Sequence, residues 1–396
     1  MSNLAMRVSL ARPRLRSNAP PALEPFGARV ILGGTHAAGT LADAPIESIR
    51  PAADSLFGPR GAAVTSDGAL WVADTGHHRL LGWRRLPETD RTAADRLIGQ
   101  PDFAHEGRNA RGAVSAHRFN VPTGVCACGD GLAVADAWNH RVLIWQRAPN
   151  ASHQPADCVL GQSDFTHAAI NRGGDRPRAD SLYWPYGVHW DGARLWVADT
   201  GNRRVLRWDS LPRHNGQPAD QVLGQRDFTC RDENAGGDID GASLRWPHAI
   251  AHWRGTLCIA DAGNNRVLVW NSDPQRNFAA SDRVLGQIDA TRVDHNRGEY
   301  YPTAASFNMP YGLAVHRDRL IVADTANSRV LRFDSPEHAE AAALAGQTGF
   351  TDKGDNRWQP ETRDSLCWPY AVSVHRDTCI VVDSGNNRVL LWEICA

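Results

Sequence analysis

The stretch WVADTGNRRVLRW, residues 196–208, contains the pattern on which the fold depends. An apolar run ends in an aspartate, a short turn follows, and an arginine opens a second apolar run. Related stretches occupy residues 71–83, 134–145, 259–270, 322–333 and 381–392. Their aspartates are separated by 62, 63, 62, 63 and 59 residues, a regularity typical of repeat architectures. The chain therefore consists of six structural repeats.

Each repeat contains four segments with the composition of β-strands. A proline 14 or 15 residues before the aspartate opens a short run rich in Val and Ala. Turn residues such as SDGA lead into the apolar run that ends in the aspartate, and the R-V-L-x-W run forms the third strand. A fourth strand, of the type VLGQ, follows a polar loop. Four antiparallel strands per repeat predict an all-β fold, a six-bladed β-propeller.

The ends of the repeat array predict how the ring closes. Only five strands of the VLGQ type follow the six repeat cores, whereas ARVILGG at residues 28–34 precedes the first core. We expect this N-terminal strand to complete the last blade, so that no sheet edge stays open. The predicted organisation is one propeller over residues 28–396, with a flexible N-terminal extension over residues 1–27.

The pattern P-x-G, then W-V-A-D-x-x-N-x-R-V-L-x-W, resembles the NHL repeat, and the trailing V-L-G-Q-x-D-F resembles its bacterial form. The resemblance covers roughly residues 28–394. It implies a six-bladed propeller that acts, as many family members do, as a binding scaffold.

The repeated motif itself is predicted to be structural. An aspartate at a strand end accepts turn amides, the asparagine suits a left-handed turn, and the arginine binds carbonyls or carboxylates. The residues concerned are Asp74, Asp136, Asp199, Asp261, Asp324 and Asp383, with Arg79, Arg141, Arg204, Arg266, Arg329 and Arg388. Because the motif lacks the alternating carboxylates and the terminal glutamate of a calcium loop, we expect no calcium site, no other metal and no cofactor.

The residue after each leading proline should lie near the mouth of the central channel. The six residues are Arg60, Thr123, Tyr186, His248, Tyr311 and Tyr370. Tyrosine, histidine and arginine are suited to recognising a partner, although such aromatic residues can equally fill pockets at strand ends. The residues before the prolines can either extend an aromatic rim around the mouth or wedge between blades, and we favour wedging; they include Trp184, Trp246, Met309 and Trp368.

Further histidines occur four to six residues after the leading prolines, at His189, His252, His316 and His375. Their unequal offsets are expected to place them at different heights along the channel. A metal shared between them is therefore not expected.

Composition bounds the function. A net charge of −1 and a single lysine, Lys353, argue against a general polyanion binder. The sequence has no secretory h-region and no run of apolar residues long enough to span a membrane. The eight cysteines show no CxxC pair. We therefore expect a soluble, cytoplasmic protein with reduced thiols.

These observations favour a scaffold whose long-loop face binds a protein or peptide partner. This face carries the D-x-x-N turns and the polar loops after VLGQ, which run about twenty residues each. The alternative is an enzyme resembling propeller lyases and hydrolases, with its site at the channel mouth, although neither G-x-S-x-G nor H-E-x-x-H occurs. RNA binding ranks third because acidic and basic residues are evenly mixed in the loops. A small-molecule ligand stays open, and a membrane partner is not expected.

Overall fold

The computed structural model describes residues 19–34 and 50–395, and it confirms the six-bladed β-propeller. The first strand, β1, is Val30–Gly33. Blade 1 contains β2 (Gly61–Val64), β3 (Leu70–Asp74), β4 (Arg79–Trp83) and β5 (Arg96–Ile98). Blade 2 contains β6 (Pro122–Cys128), β7 (Gly131–Asp136), β8 (Arg141–Trp145) and β9 (Cys158–Leu160). Blade 3 contains β10 (Pro185–Trp190), β11 (Leu195–Asp199), β12 (Arg204–Trp208) and β13 (Gln221–Leu223).

The other three blades repeat this order. Blade 4 contains β14 (Pro247–Trp253), β15 (Thr256–Asp261), β16 (Arg266–Trp270) and β17 (Arg283–Leu285). Blade 5 contains β18 (Pro310–His316), β19 (Arg319–Asp324), β20 (Arg329–Phe333) and β21 (Ala343–Ala345). Blade 6 contains β22 (Pro369–His375), β23 (Thr378–Asp383) and β24 (Arg388–Glu393), and β1 is its outermost strand.

The ring closes as predicted. β1 pairs antiparallel with β24, in a register that runs from Val30 opposite Leu391 to Gly33 opposite Arg388. The predicted N-terminal extension lies outside the described residues over positions 1–18. Within positions 19–27, Leu23 is buried and forms a β-bridge with Ile394. The described part of the chain before β1 therefore packs against blade 6.

Short turns recur at two places on one face of the ring. Single-turn 3-10 helices follow the motif aspartates, at Ala137–Asn139, Thr200–Asn202, Ala262–Asn264, Thr325–Asn327 and Ser384–Asn386. The long loops contain turns whose two inner residues have left-handed backbone conformations, at Arg108–Arg111, Ile170–Gly173, Glu233–Gly236, His295–Gly298 and Asp355–Trp358. We call this side the long-loop face, and the side with the turns between the first two strands of each blade the short-turn face. Among the described residues, no helix has the length and apolarity needed to cross a bilayer.

The hydrophobic core lies between the blades. Six clusters of buried residues each join two neighbouring blades, and one of them joins blade 6 to blade 1. In that cluster Val30 and Leu32 of β1 pack with Val72 and Leu81 of blade 1. Since every blade buries both of its faces against neighbours, closure of the ring stabilises each blade.

The motif aspartate and arginine form a buried ion pair in every blade. In blade 3, Arg204 donates through Nε to Oδ2 of Asp199 at 2.8 Å. Its Nη1 donates to the carbonyl oxygen of Phe228 at 2.6 Å, and Nη2 donates to the carbonyls of Arg178 and Ser181 at 2.9 and 3.0 Å. One guanidinium thus ties together the loop before its blade, its own strand pair and the loop after the blade.

The other motif positions complete this network. Asn202 donates to Oδ2 of Asp199 at 2.8 Å and to the side-chain oxygen of Asn171, which lies in the preceding long loop, at 2.8 Å. In blade 1, His77 replaces the asparagine, and its Nδ1 lies 2.8 Å from Oδ2 of Asp74. The oxygens of the motif aspartates are therefore engaged by donors from the protein itself.

The buried pair makes a testable prediction about stability. Substitution Arg266→Met leaves the carboxylate of Asp261 buried without its charged partner, which costs about 3–5 kcal/mol in the free energy of unfolding. The control Arg84→Met removes an exposed arginine that pairs with Asp95 at 3.6 Å, and it should cost less than about 1 kcal/mol. Urea unfolding at neutral pH measures both, and equal losses would contradict the assigned role of the motif.

Candidate functional site

In five of the six blades a bulge near the start of the first strand lies at the channel mouth. In blades 2 to 6 the pairing register with the second strand shifts directly after the leading proline. A bulge re-aims the side chain at that point. The shifted positions include those of Tyr186, His248, Tyr311 and Tyr370, and the pairing in blade 1 starts after Arg60, at Gly61.

Five of the six predicted mouth residues contact one another in a closed ring. Nη1 of Arg60 donates to the hydroxyl of Tyr186 at 3.0 Å, and its guanidinium carbon lies 4.7 Å from the ring centre of Tyr370. The ring centres of Tyr186 and His248 are 4.8 Å apart, and those of Tyr311 and Tyr370 are also 4.8 Å apart. His248 and Tyr311 stack in parallel at 4.1 Å. We call these five residues the mouth ring.

Thr123, the sixth predicted residue, does not join the mouth ring. Its side chain is buried, and Oγ1 donates to the carbonyl oxygens of Pro185 and Tyr186 at 3.3 and 3.1 Å. It therefore holds blade 2 against the neighbouring first strand of blade 3.

The mouth ring contains one positive charge. Burial lowers the pKa of His248 to about 4, with the nearby charge of Arg60 also lowering it and the hydrogen bond to Trp246 raising it. Nδ1 of His248 donates to the carbonyl oxygen of Trp246 at 3.0 Å, which leaves Nε2 without a proton. Burial raises the pKa of Tyr311 and of Tyr370, so both hydroxyls stay protonated at neutral pH. Among the described residues, no carboxylate forms an ion pair with Arg60.

A narrow cavity of about 360 Å³ continues from the mouth ring along the channel. Its walls are mostly Gly, Ala and Val from the six first strands. A Cβ on Gly187 would lie 2.0 Å from the carbonyl oxygen of His248, and one on Gly124 would lie 2.3 Å from that of Tyr186. Glycine after the mouth residue therefore lets neighbouring first strands approach closely around the axis.

Large aromatic side chains surround the mouth ring on the long-loop face. Five of them are solvent-exposed, and we call them the aromatic rim: Phe57 (40%), Trp138 (39%), Trp184 (40%), Trp246 (39%) and Trp368 (47%). Trp184, Trp246 and Trp368 thus agree with the alternative of an aromatic rim better than with the favoured wedging between blades. Trp184 and Trp368 have left-handed backbone conformations, with φ of 50° and 52°, which sequence patterns do not reveal.

In four blades a side chain of the preceding blade binds the backbone N–H of the residue before the leading proline. Nδ1 of His140 accepts the backbone N–H of Trp184 at 3.3 Å, and Nδ1 of His78 accepts that of Val121 at 3.0 Å. At the equivalent positions, Oδ1 of Asn265 accepts the N–H of Met309 at 2.9 Å, and Oγ of Ser328 accepts that of Trp368 at 3.3 Å. Two residues of the aromatic rim, Trp184 and Trp368, are therefore held by contacts between blades.

The opposite end of the channel contains a histidine network. Nε2 of His189 lies 3.0 Å from Nδ1 of His252, and Nε2 of His252 lies 2.8 Å from Oδ1 of Asp273. Both histidines line the channel cavity. His252 lies five residues after its leading proline and His189 lies four residues after its own, on the neighbouring first strand. The unequal distances from the prolines therefore do not separate these two side chains.

Comparisons with known proteins agree with this architecture. The sequence model of the NHL repeat matches residues 58–83 and 119–145, which include the first and second motif aspartates. The chain contains NHL repeats and folds as a six-bladed β-propeller. NHL repeat-containing protein 2 of Homo sapiens is 21% identical to it over 364 residues, which cover 82% of this chain and 45% of that protein. The Bos taurus protein of the same name is 27% identical over 156 residues, covering 35% of this chain and 20% of its own length.

This NHL-repeat propeller spans less than half the length of these two relatives. Among solved structures, a protein of unknown function from Bacteroides thetaiotaomicron superposes with a TM-score of 0.52 at 11% identity. The superposition covers 93% of this chain and 75% of that one. At this identity the likeness concerns the fold alone.

His78 and His140, which accept backbone N–H groups of the next blade, should make the stability of the protein sensitive to acid. Burial lowers the pKa of His78 and of His140 to about 4, below the value of 6.5 for an unfolded histidine. The unfolded chain therefore binds more protons between pH 6.5 and 4, so the free energy of unfolding should fall as the pH drops through this window. In the double variant His78→Asn, His140→Asn, the new asparagines can accept the backbone N–H groups as Asn265 does at the equivalent position, but they do not titrate. Thermal unfolding from pH 7 to pH 4 should show a smaller loss for this variant, and an unchanged loss would contradict the assignment.

Proposed function

We propose that this NHL-repeat propeller is a binding scaffold whose long-loop face recognises a protein or peptide partner. The aromatic rim is the observation that carries the proposal. Clustered exposed aromatic residues are uncommon on a surface that meets only water, and tryptophan, tyrosine and arginine are enriched where binding energy is concentrated. The rim supplies apolar area, and the mouth ring at its centre supplies hydrogen-bonding groups.

Arginines beside the rim favour a partner with acidic groups. The guanidinium of Arg108 lies 4.9 Å from the ring centre of Trp138, and that of Arg245 lies 5.2 Å from the ring centre of Trp246. Arg245 pairs with Glu233, whereas the guanidinium of Arg60 donates to Tyr186 and lies over Tyr370 without an ion pair among the described residues. A carboxylate of the partner, from a side chain or a C-terminus, would complete the coordination of Arg60.

A groove beside the mouth ring provides room for an extended segment. Its volume is about 500 Å³, and its lining includes Phe57, Arg60, His78, Trp138 and Trp184. Apolar rings thus lie along the groove, and a cation lies at its inner end. This combination suits a peptide that inserts an apolar side chain and an acidic group. We place the protein in the cytoplasm, where its eight unpaired cysteines stay reduced.

The aromatic rim can be tested by comparative capture from the native host. The double variant Trp184→Ala, Trp368→Ala removes two rim side chains, and the matched control Phe26→Ala removes an exposed aromatic side chain in the turn before β1, outside the long loops. Because buried aromatic anchors dominate binding, partner recovery should fall at least about tenfold with the double variant and stay unchanged with the control. Quantitative mass spectrometry of the three captures measures this. Failure to recover any partner with the wild-type protein, or equal recovery with all three, would reject the proposal.

The charge of Arg60 makes a separate prediction once a partner is recovered. Arg60→Gln keeps a polar side chain but removes the cation, so the affinity for an acidic partner should fall at least about tenfold. The dependence of the dissociation constant on salt should also become weaker. Isothermal titration at two salt concentrations measures both quantities. An unchanged affinity would exclude Arg60 from recognition while leaving the role of the aromatic rim intact.

A further inference from the structure

A second cluster of polar side chains lies near the short-turn face, at the end of the channel opposite the mouth ring. Asp191 lies in the turn between β10 and β11, His252 lies near the end of β14, and Asp273 lies in the loop after β16. Two of the three residues belong to blade 4 and one to blade 3. Neither the repeated motif nor the proposed partner face uses them.

The ligating atoms of these residues converge. Nε2 of His252 lies 2.8 Å from Oδ1 of Asp273 and 3.9 Å from Oδ2 of Asp191. One nitrogen and two carboxylate oxygens, one from each residue, lie within 4.8 Å of one another. The three side chains are 23%, 20% and 9% exposed, in the order His252, Asp273 and Asp191. They are thus held in place yet accessible to an ion from solvent.

We propose that Asp191, His252 and Asp273 form a binding site for a divalent first-row transition metal such as Zn²⁺, Co²⁺ or Mn²⁺. One imidazole with two carboxylates is a donor set that suits these ions. Small movements would bring the three donors to the distances of about 2.0–2.2 Å at which imidazole nitrogens and carboxylate oxygens bind zinc.

The surroundings of the cluster orient its ligands. Nδ1 of His252 faces Nε2 of His189 at 3.0 Å, so His252 can donate its Nδ1 proton to His189 and direct the lone pair of Nε2 at the metal. Trp196 donates through Nε1 to Oδ2 of Asp191 at 2.9 Å, and the backbone N–H groups of Ala193 and Arg194 bind Oδ1 of the same aspartate. Such outer hydrogen bonds fix the orientation of metal ligands.

The local charge favours a cation. Arg194 pairs with the Oδ2 oxygen of Asp273 and leaves Oδ1, the oxygen nearest to His252, for the metal. Two carboxylates and one guanidinium leave one net negative charge beside the imidazole of His252. Because His252 also lines the channel cavity, a bound metal would lie beside the end of that cavity.

The chain provides a matched control on the same face. Nε2 of His316 lies 2.9 Å from Oδ1 of Asp377, and Arg317 pairs with the same oxygen at 2.9 Å. This arrangement resembles His252, Asp273 and Arg194, but within the described part of the chain it has no third ligand. If His252 only forms a hydrogen bond to Asp273, its substitution should affect metal binding no more than substitution of His316 does. If His252 is a metal ligand, only its own substitution should weaken metal binding.

Cobalt binding tests the site directly. The full chain, dialysed against EDTA, is titrated with Co²⁺, whose visible absorption reports nitrogen and oxygen ligation. We expect saturation at one Co²⁺ per chain and displacement by Zn²⁺. The variants His252→Ala and Asp191→Asn should weaken binding at least about tenfold, whereas His316→Ala should leave it unchanged. Asp191→Asn keeps the oxygen that accepts the turn amides and replaces Oδ2 with an amide nitrogen, which removes the charge and the acceptor of the Trp196 indole N–H.

Several outcomes would overturn the site. Absence of saturable Co²⁺ binding by the wild-type protein would leave the cluster as a metal-free hydrogen-bond network. Binding that survives both variants, or that is lost equally in His316→Ala, would place the ion elsewhere. Should a variant fail to fold by circular dichroism, imidazole ¹⁵N spectra of the wild-type protein decide. Zn²⁺ should shift Nε2 of His252, and unchanged His252 nitrogens would reject the proposal.

Discussion

The buried pair between the motif aspartate and arginine is the constraint on which the other features of each blade depend. A carboxylate removed from water is costly unless charge and hydrogen bonds compensate it. Here Nε of the arginine binds the carboxylate, and the remaining guanidinium hydrogens bind carbonyls of two different loops, as Arg204 shows. The observed arrangement of these segments satisfies all of these groups, so the pair stabilises this conformation of the long-loop face.

This constraint explains why neighbouring blades meet at the axis in a regular way. Because each strand pair and its flanking loops are fixed alike, the six leading prolines lie at equivalent places around the ring. Glycines such as Gly124 and Gly187 then allow close approach of neighbouring first strands. The residue after each proline is thereby brought to the mouth. Its identity varies between blades while its position does not, which makes the mouth a place where one fold can acquire different binding properties.

The two ends of the channel have opposite chemical character. The mouth ring carries the cation of Arg60 among stacked aromatic rings, and the aromatic rim surrounds it. The other end carries two carboxylates near His252. Both ends are built from side chains of different blades, so neither is visible in any one repeat. Neighbouring first strands lie close together around the axis, so side chains from different blades contact one another there.

Much of the architecture follows from the sequence alone. The period of the motif, its four strand-like segments and the unmatched ARVILGG segment determine six blades and a ring closed by β1, because each strand pattern is local and repeats. The same periodicity brings Arg60, Tyr186, His248, Tyr311 and Tyr370 to the channel mouth. The tertiary structure alone decides that Thr123 is buried in the wall and that Trp184 is exposed. It alone brings His189 against His252. These outcomes depend on bulges, on left-handed residues and on the distance between neighbouring blades, which are set by packing around the axis and not by the local pattern.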